Sequence, residues 1–155
     1  MSPAQTLLAT ADSHRDSRRW AQAEAAYRAH LTHHPDHWQI HVQLGHAVRQ
    51  LGEPASALTH YARAAALAPD ELDPPFQAAH TLRQLGRGGE AACLFAALHA
   101  RFPHDLRLKR EVALSHHRLD APPSRATLPE PPATPPTALA FDVTDLLDYL
   151  RDSRT

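Results

Sequence analysis

The sequence is poor in the residues on which several common functions depend. It has one cysteine, Cys93, so no internal disulfide can form, and such scarcity is typical of a reducing compartment. Asparagine is absent, glycine occurs five times in 155 residues, and only 6% of the residues are aromatic. The 16 Lys and Arg nearly cancel the 17 Asp and Glu, which argues against nucleic-acid binding through bulk positive charge.

Long apolar runs are missing as well. None approaches the roughly 18 residues that a transmembrane helix requires. Residues 1–20 lack a basic stretch followed by an apolar segment, so no signal peptide is predicted and we expect a cytoplasmic protein. In their place the chain has 29 alanines and 15 arginines, which favour helix, and few β-branched residues.

A period of 34 residues runs through the chain from its first residues to about residue 118. Small residues would let paired helices approach closely, and an aromatic residue four positions later would lie on the same helical face. Glycine suits the end of the first helix of each pair, and proline the end of the second. The recurring residues are Pro35, Pro69 and Pro103; Ala11, Gly45, Ala79 and Ala113; Ala23, Ala57 and Ala91; Tyr27, Tyr61 and Phe95; and Gly52 and Gly86.

These columns resemble the tetratricopeptide repeat, a helix–turn–helix unit of the same length. The resemblance implies an all-α, right-handed helical solenoid within residues 1–120. Its repeats would be 4–37, 38–71 and 72–105, followed by a capping helix at 105–118. We expect helices at 4–16, 20–33, 38–50, 54–67, 74–85, 89–101 and 105–118.

Three positions depart from the repeat pattern. Arg18 stands where the turn glycine of repeat one would fall, and His30 where a small residue is usual. Pro75 occupies the position that is usually Trp in repeat three. There we expect Asp73 to cap a helix that starts late, with Pro74 in its first turn.

In this family the first helices of successive repeats line a concave, peptide-binding groove. The resemblance therefore implies a non-catalytic protein–protein interaction module that binds a partner segment. The candidate groove residues are Arg15, Gln39, Val42, His46, Arg49, Gln50, Phe76, His80, Arg83, Gln84 and Arg110. Three of them, Arg15, Arg49 and Arg83, form an arginine column at the repeat spacing.

The arginine column has two interpretations. Its guanidinium groups could bind carboxylates of a partner, for which bidentate geometry favours Arg. Alternatively, they are solvated or pair with Asp12, Asp16 and Glu53, and such surface pairs contribute little. We predict a preference for acidic or polar extended peptides, strengthened when His46 and His80 become protonated below about pH 6.5.

Thirteen histidines raise the question of a metal site. His37 and His41 have the i, i+4 spacing of two ligands on one helical face, but no convincing carboxylate lies nearby. We therefore predict structural or solvated histidines, with no metal and no cofactor. Cys93 is expected to be a small core residue. No catalytic residues are predicted, because no Ser-His-Asp order or glycine-rich phosphate loop is present.

The last part of the chain has a different composition. Residues 121–137 contain seven prolines and are predicted to be an extended linker. Residues 138–155 form an amphipathic segment with a strand-like start and a short helix after Thr144. This acidic segment could reach back to the groove of its own chain or stay detached.

The amphipathic segment also suggests a second function. Residues 141–150 resemble the opening strand and helix of some bacterial glycosyltransferase domains. The alternative is therefore that the chain is the amino-terminal, partner-recruiting part of such an enzyme, cut short at residue 155.

Overall fold

The computed structural model describes residues 3–119 and the side chains of residues 5–115, and all regular structure in that range is helical. Each helix bound lies within one residue of its predicted position. The predicted linker and amphipathic segment lie outside the described residues. The helices are α1 (Pro3–Asp16), α2 (Trp20–His33), α3 (Trp38–Gln50), α4 (Pro54–Leu67), α5 (Asp73–Gln84), α6 (Gly88–Arg101) and α7 (Leu106–Leu119).

The helices stack in chain order. The most extensive contacts join each helix to the ones before and after it. Hydrogen bonds also connect Arg15 of α1 to Gln43 of α3, and Arg83 of α5 to Glu111 of α7. The first helices of these successive repeats therefore lie side by side, as expected for a helical-repeat solenoid.

The predicted small and aromatic columns form the core. Ala11, Ala23, Ala57, Ala79, Ala91, Tyr27, Tyr61 and Phe95 are each no more than 2% exposed. Gly45 shows how close the helices approach, because a Cβ built on it would lie 2.7 Å from Cε1 of Tyr61. The close contact expected between the first and second helices is thereby confirmed.

The turn between the two helices of each repeat has the same backbone geometry. Gly52 and Gly86 have positive φ values of 88° and 77°, and Arg18 adopts a φ of 55° at the equivalent position. The following amide bonds the carbonyl five residues earlier in all three turns, as in a Schellman motif. Repeat one therefore keeps the turn, with a residue that disfavours it.

Two sequence predictions were wrong. α5 begins at Asp73 with Leu72 as its N-cap residue, so Asp73 is the first helical residue and not the cap. Prolines at the next two positions fit there, because the first helical amides lack intrahelical partners anyway. Cys93 is exposed. It faces away from the core because its neighbours Ala91 and Leu94 take the buried face of α6.

Candidate functional site

Each repeat places one arginine between a residue of its own helix and an aromatic ring from the second helix. The arginine follows its helix partner by three residues, and the aromatic residue follows that partner by 15. We call these sets the arginine triads. They are Asp12–Arg15–Tyr27, His46–Arg49–Tyr61 and His80–Arg83–Phe95.

In the first triad the arginine is paired with two carboxylates. Arg15 Nη1 lies 3.0 Å from Asp12 Oδ1, and its Nη2 lies 3.0 Å from Asp16 Oδ1. The buried Tyr27 hydroxyl donates to the same Asp12 oxygen at 2.8 Å. Burial, and then this hydrogen bond, raise the pKa of Tyr27, so the phenol stays protonated. The pairing of Arg15 with Asp12 and Asp16 is one of the two outcomes considered from the sequence.

In the third triad the carboxylate comes from the next repeat. Arg83 Nη1 donates to Glu111 Oε2 of α7 at 2.6 Å, and its Nη2 donates to His80 Nδ1 at 2.7 Å. Burial, and then the adjacent Arg83 charge, lower the pKa of His80, although Glu111 acts in the opposite direction. The Arg83 charge is thus already matched within the fold.

In the middle triad the arginine bonds neutral groups. Arg49 Nη2 donates to His46 Nδ1 at 3.3 Å, and the Tyr61 hydroxyl bonds the same nitrogen at 3.0 Å. Since Nδ1 accepts, the proton of the neutral ring is on Nε2. The guanidinium carbon also lies 5.9 Å from the centre of the Tyr61 ring, within cation–π range.

Burial favours the neutral form of both titratable groups in the middle triad, while the Arg49 charge favours neutral His46 but acts against burial at Tyr61. Burial, and then the neighbouring Arg49, lower the pKa of His46. Burial raises the pKa of Tyr61 to about 12. With the pKa of His80 lowered as well, the protonation expected at pH 6.5 moves to lower pH.

Arg49 is the member of the column without a carboxylate partner in the described part of the chain. The pairing considered with Glu53 is not found there, since no ion pair of Arg49 lies within 4.0 Å. Arg15 and Arg83 each bond a residue 28 positions later. The residue 28 positions after Arg49 is Gln77, whose amide donates to Asp73 at 3.4 Å. The middle of the column therefore carries the least compensated positive charge.

The structure gives the candidate groove residues different accessibilities. Val42 and Phe76 are buried, at 3% and 9% exposed. The exposed candidates are Gln39, Gln50, Gln84 and Arg110, and the half-buried ones are Arg15, His46, Arg49, His80 and Arg83. Each column arginine bonds within its own triad, and among the described residues no hydrogen bond joins the exposed glutamines to a triad.

The sequence alone did not predict several hydrogen-bond partners of the column arginines and of their triads. The hydroxyls of Tyr27 and Tyr61 were assigned only to packing, and Gln43 and Glu111 were not singled out. Sequence spacing could have predicted these partners. The tyrosines lie 15 residues after the first triad member, and Gln43 and Glu111 lie 28 residues after an arginine of the column.

The two histidines considered as metal ligands take separate partners. His37 Nδ1 lies 2.9 Å from His30 Nε2, and His41 Nε2 donates to the Pro35 carbonyl at 2.8 Å. His30, the departure from the small-residue pattern, is only 3% exposed. Within the described residues no group of three or more His, Cys, Asp or Glu side chains has the arrangement of a metal site. None of the helices described there has the length and apolar character needed to cross a membrane.

Comparison with known proteins identifies the repeats. Residues 8–71 match the tetratricopeptide repeat family model. The Yersinia enterocolitica type III secretion chaperone SycD, solved with a peptide of the translocator YopD, has a TM-score of 0.68 and 18% identity over 75% of this chain and 94% of its own. No curated protein matches the chain.

Two further solved structures share the fold. The first repeat domain of Spaghetti (RPAP3), bound to the HSP90 peptide SRMEEVD, has a TM-score of 0.66 and 15% identity over 76% of this chain and 96% of its own. PcrH, in complex with the chaperone binding region of PopD, has a TM-score of 0.61 and 23% identity over 74% of this chain and 86% of its own. At these identities the likeness establishes a tetratricopeptide-like solenoid and nothing finer.

Proposed function

We propose that this chain, which carries tetratricopeptide repeats, is a non-catalytic protein–protein interaction module acting in the cytoplasm. Its groove, lined by α1, α3, α5 and α7, would hold a segment of a partner protein. SycD, RPAP3 and PcrH support this proposal, since each has the same fold and was solved with a peptide or binding region of another protein. The exposed thiol of Cys93 fits a reducing compartment.

The lack of an ionic partner at Arg49 indicates which chemical group of a partner the groove would bind. Arg15 and Arg83 are paired with carboxylates of their own chain at 3.0 Å and 2.6 Å, whereas Arg49 bonds the neutral His46 and has no ion pair within 4.0 Å among the described residues. Asp73 acts on His46 and Tyr61 of this triad through its charge but forms no ion pair with Arg49. A half-buried guanidinium with no ionic partner gains most from a carboxylate supplied by a ligand. We therefore place an acidic side chain or a terminal carboxylate of the partner segment at Arg49.

The surroundings of Arg49 favour such a contact. The Tyr61 ring and the neutral His46 ring limit the solvation of the guanidinium on one side. A charge-assisted hydrogen bond formed there is stronger than one formed in bulk water. The bond to Nδ1 leaves the His46 proton on Nε2, so the ring also has a donor available.

The test is a peptide array in which every acidic peptide has a matched copy with Gln in place of Glu. Binding of the selected pairs is then measured by fluorescence anisotropy for wild type, Arg49→Gln and the matched control Arg15→Gln. We expect Arg49→Gln to weaken binding of the acidic peptide about tenfold, the value of one charge-assisted contact. Arg15→Gln should change it by less than about threefold, because that arginine is already neutralised.

A second variant neutralises the Arg49 charge without removing the arginine. His46→Asp gives repeat two the Asp–Arg–Tyr triad of repeat one and should remove the preference for Glu over Gln. Added salt should weaken wild-type binding, because exposed charges are screened beyond about 10 Å at 0.1 M. Equal losses in Arg15→Gln and Arg49→Gln, or an unchanged preference in His46→Asp, would contradict the assignment of Arg49.

The glycosyltransferase alternative has no support from these comparisons. The residues that suggested it, 141–150, lie outside the described part of the chain. The arginine triads favour binding over catalysis, because their polar atoms are engaged with one another at 2.7–3.5 Å.

A further inference from the structure

The last described helix has a face that nothing in the described structure covers. Its exposed residues recur at the i, i+3, i+4, i+7 and i+8 spacing of one helical face. They are Leu106, Lys109, Arg110, Ala113 and Leu114, which we call the α7 outer face. Leu106 is 78% exposed and Leu114 48% exposed, and they are two of the three exposed large apolar residues in the described part of the chain.

The repeat pattern shows that this face corresponds to a covered surface elsewhere. Ala113 continues the column of Ala11, Gly45 and Ala79, and those three are fully buried. In repeat two the covering group is the aromatic ring of Tyr61, which lies directly against Gly45. Ala113 is exposed instead. Helix α7 thus corresponds to the first helix of a repeat, and among the described residues no second helix packs against it.

The sequence after α7 contains a segment with the complementary chemistry. Residues 138–155 carry Leu146, Leu147 and Leu150 at helical spacing after Thr144, which can cap. Four aspartates outnumber two arginines there. They are Asp142, Asp145, Asp148 and Asp152 against Arg151 and Arg154.

The α7 outer face offers matching groups. Lys109 and Arg110 supply positive charge, and the exposed leucines supply apolar surface. Glu111, the acidic residue of this helix, lies on the other side and is already paired with Arg83 at 2.6 Å. Both the apolar and the charged character of the segment are therefore complemented.

The connection between them is long enough. Residues 120–137, rich in proline, can span about 56 Å at ~3.1 Å per residue, whereas α7 is about 21 Å long. A tethered segment is present at an effective concentration that a separate partner or a second copy would have to exceed.

We propose that residues 138–152 dock as a helix on the α7 outer face of the same chain. They take the place that the second helix occupies in a complete repeat, with the proline-rich residues replacing the usual short turn. The docked segment covers Ala113 and Leu114, and its aspartates lie near Lys109 and Arg110. The arginine column is left open to a partner, whereas Arg110, one of the candidate groove residues, is occupied by the segment.

The test compares hydrogen exchange of the α7 amides in full-length variants. Leu147→Asp/Leu150→Asp should increase exchange across residues 106–119 several-fold, because two charges replace the apolar contact. The matched control Leu128→Asp places a charge in the linker and should leave that exchange unchanged. The amides of α1–α4 should not respond to either change.

Charge reversal provides the second readout. Lys109→Glu/Arg110→Glu should increase α7 exchange in the same way, and adding Asp145→Lys/Asp148→Lys should restore protection. Equal α7 exchange in wild type and Leu147→Asp/Leu150→Asp would overturn the proposal. Protection that rises with protein concentration, with a dimer seen by sedimentation, would also overturn it and assign the face to a second copy.

Discussion

Repeats one and two share a backbone and differ in chemistry at equivalent positions. Both end their first helix with the same hydrogen-bonded turn, and both bury a tyrosine of the second helix completely. In repeat one, Asp12 pairs with the column arginine, while in repeat two His46 leaves the arginine charge uncompensated. Equivalent positions of the two repeats can therefore carry different charges while the turn and the buried tyrosine stay the same.

Three further differences between these repeats lie at Gly45 against Ala11, His60 against Ala26, and Gly52 against Arg18, each pair 34 residues apart. Each can be exchanged singly. The free energy of unfolding should change most at Gly45, less at His60 and least at the turn residues.

Gly45→Ala should destabilise the protein by about 1–3 kcal/mol despite the better helix propensity of Ala. The new Cβ would lie 2.7 Å from Cε1 of Tyr61, which is 0% exposed and has little room to move. Gly89→Ala is the matched control, since it is also helical but has nothing within 4 Å of the new Cβ. Urea denaturation should show that variant to be unchanged or slightly stabilised. Equal midpoints for both variants would mean that Tyr61 does not limit helix approach.

Acid should destabilise the protein through His60, which repeat one lacks. Burial, and then the charges of His41 and Arg28, lower the pKa of His60 to about 4. The unfolded chain binds the proton more readily, so stability should fall as the pH drops from about 6.5 towards 4. His60 alone should contribute a loss of at most about 2 kcal/mol at pH 5, reduced by solvent screening because the ring is only half-buried.

Denaturation at pH 7.5 and 5.0 measures this effect, with His60→Gln as the comparison. The variant should lose part of the pH dependence, while the exposed control His104→Gln should keep it. His46 and His80 also have lowered pKa values and contribute in the same direction. A pH dependence that is identical in wild type and His60→Gln would show that folding does not lower the pKa of this ring.

The turn residues should give the smallest effects, in opposite directions. Gly52→Ala forces a side chain into a φ of 88° and should cost about 1 kcal/mol. Arg18→Gly relieves the same strain at a φ of 55° and should stabilise the protein by up to about 1 kcal/mol. Thermal unfolding of both variants measures the difference. A loss of stability in Arg18→Gly would indicate that the arginine side chain contributes more than its backbone conformation costs.

The fold was predictable because its determinants repeat. Small residues such as Ala57 and aromatic residues such as Phe95 occur at one spacing, and each has a packing reason to be there. The errors arose where the repeat gives no information. Asp73 has a type of side chain that often caps helices, but the two prolines after it allow the helix to start at Asp73 itself. The exposure of Cys93 depends on its rotation about α6 relative to Ala91.

The candidate site was predictable only in part. The arginine column follows from the 34-residue spacing, but the charge state of each arginine depends on side chains from other helices. Glu111 reaches Arg83 from α7, and Gln43 reaches Arg15 from α3. These distances across helices decide that Arg49 differs from its two counterparts, and no spacing within one helix encodes them.

The stacking of each helix on its neighbours in sequence also governs how fast the chain can fold. The extensive contacts join helices that are adjacent along the chain, so the loops closed during folding are short. Chains with such local contacts fold within roughly microseconds to milliseconds. During synthesis, α1 and α2 can therefore pair before α5 has been made, and each later helix adds to a surface that is already formed.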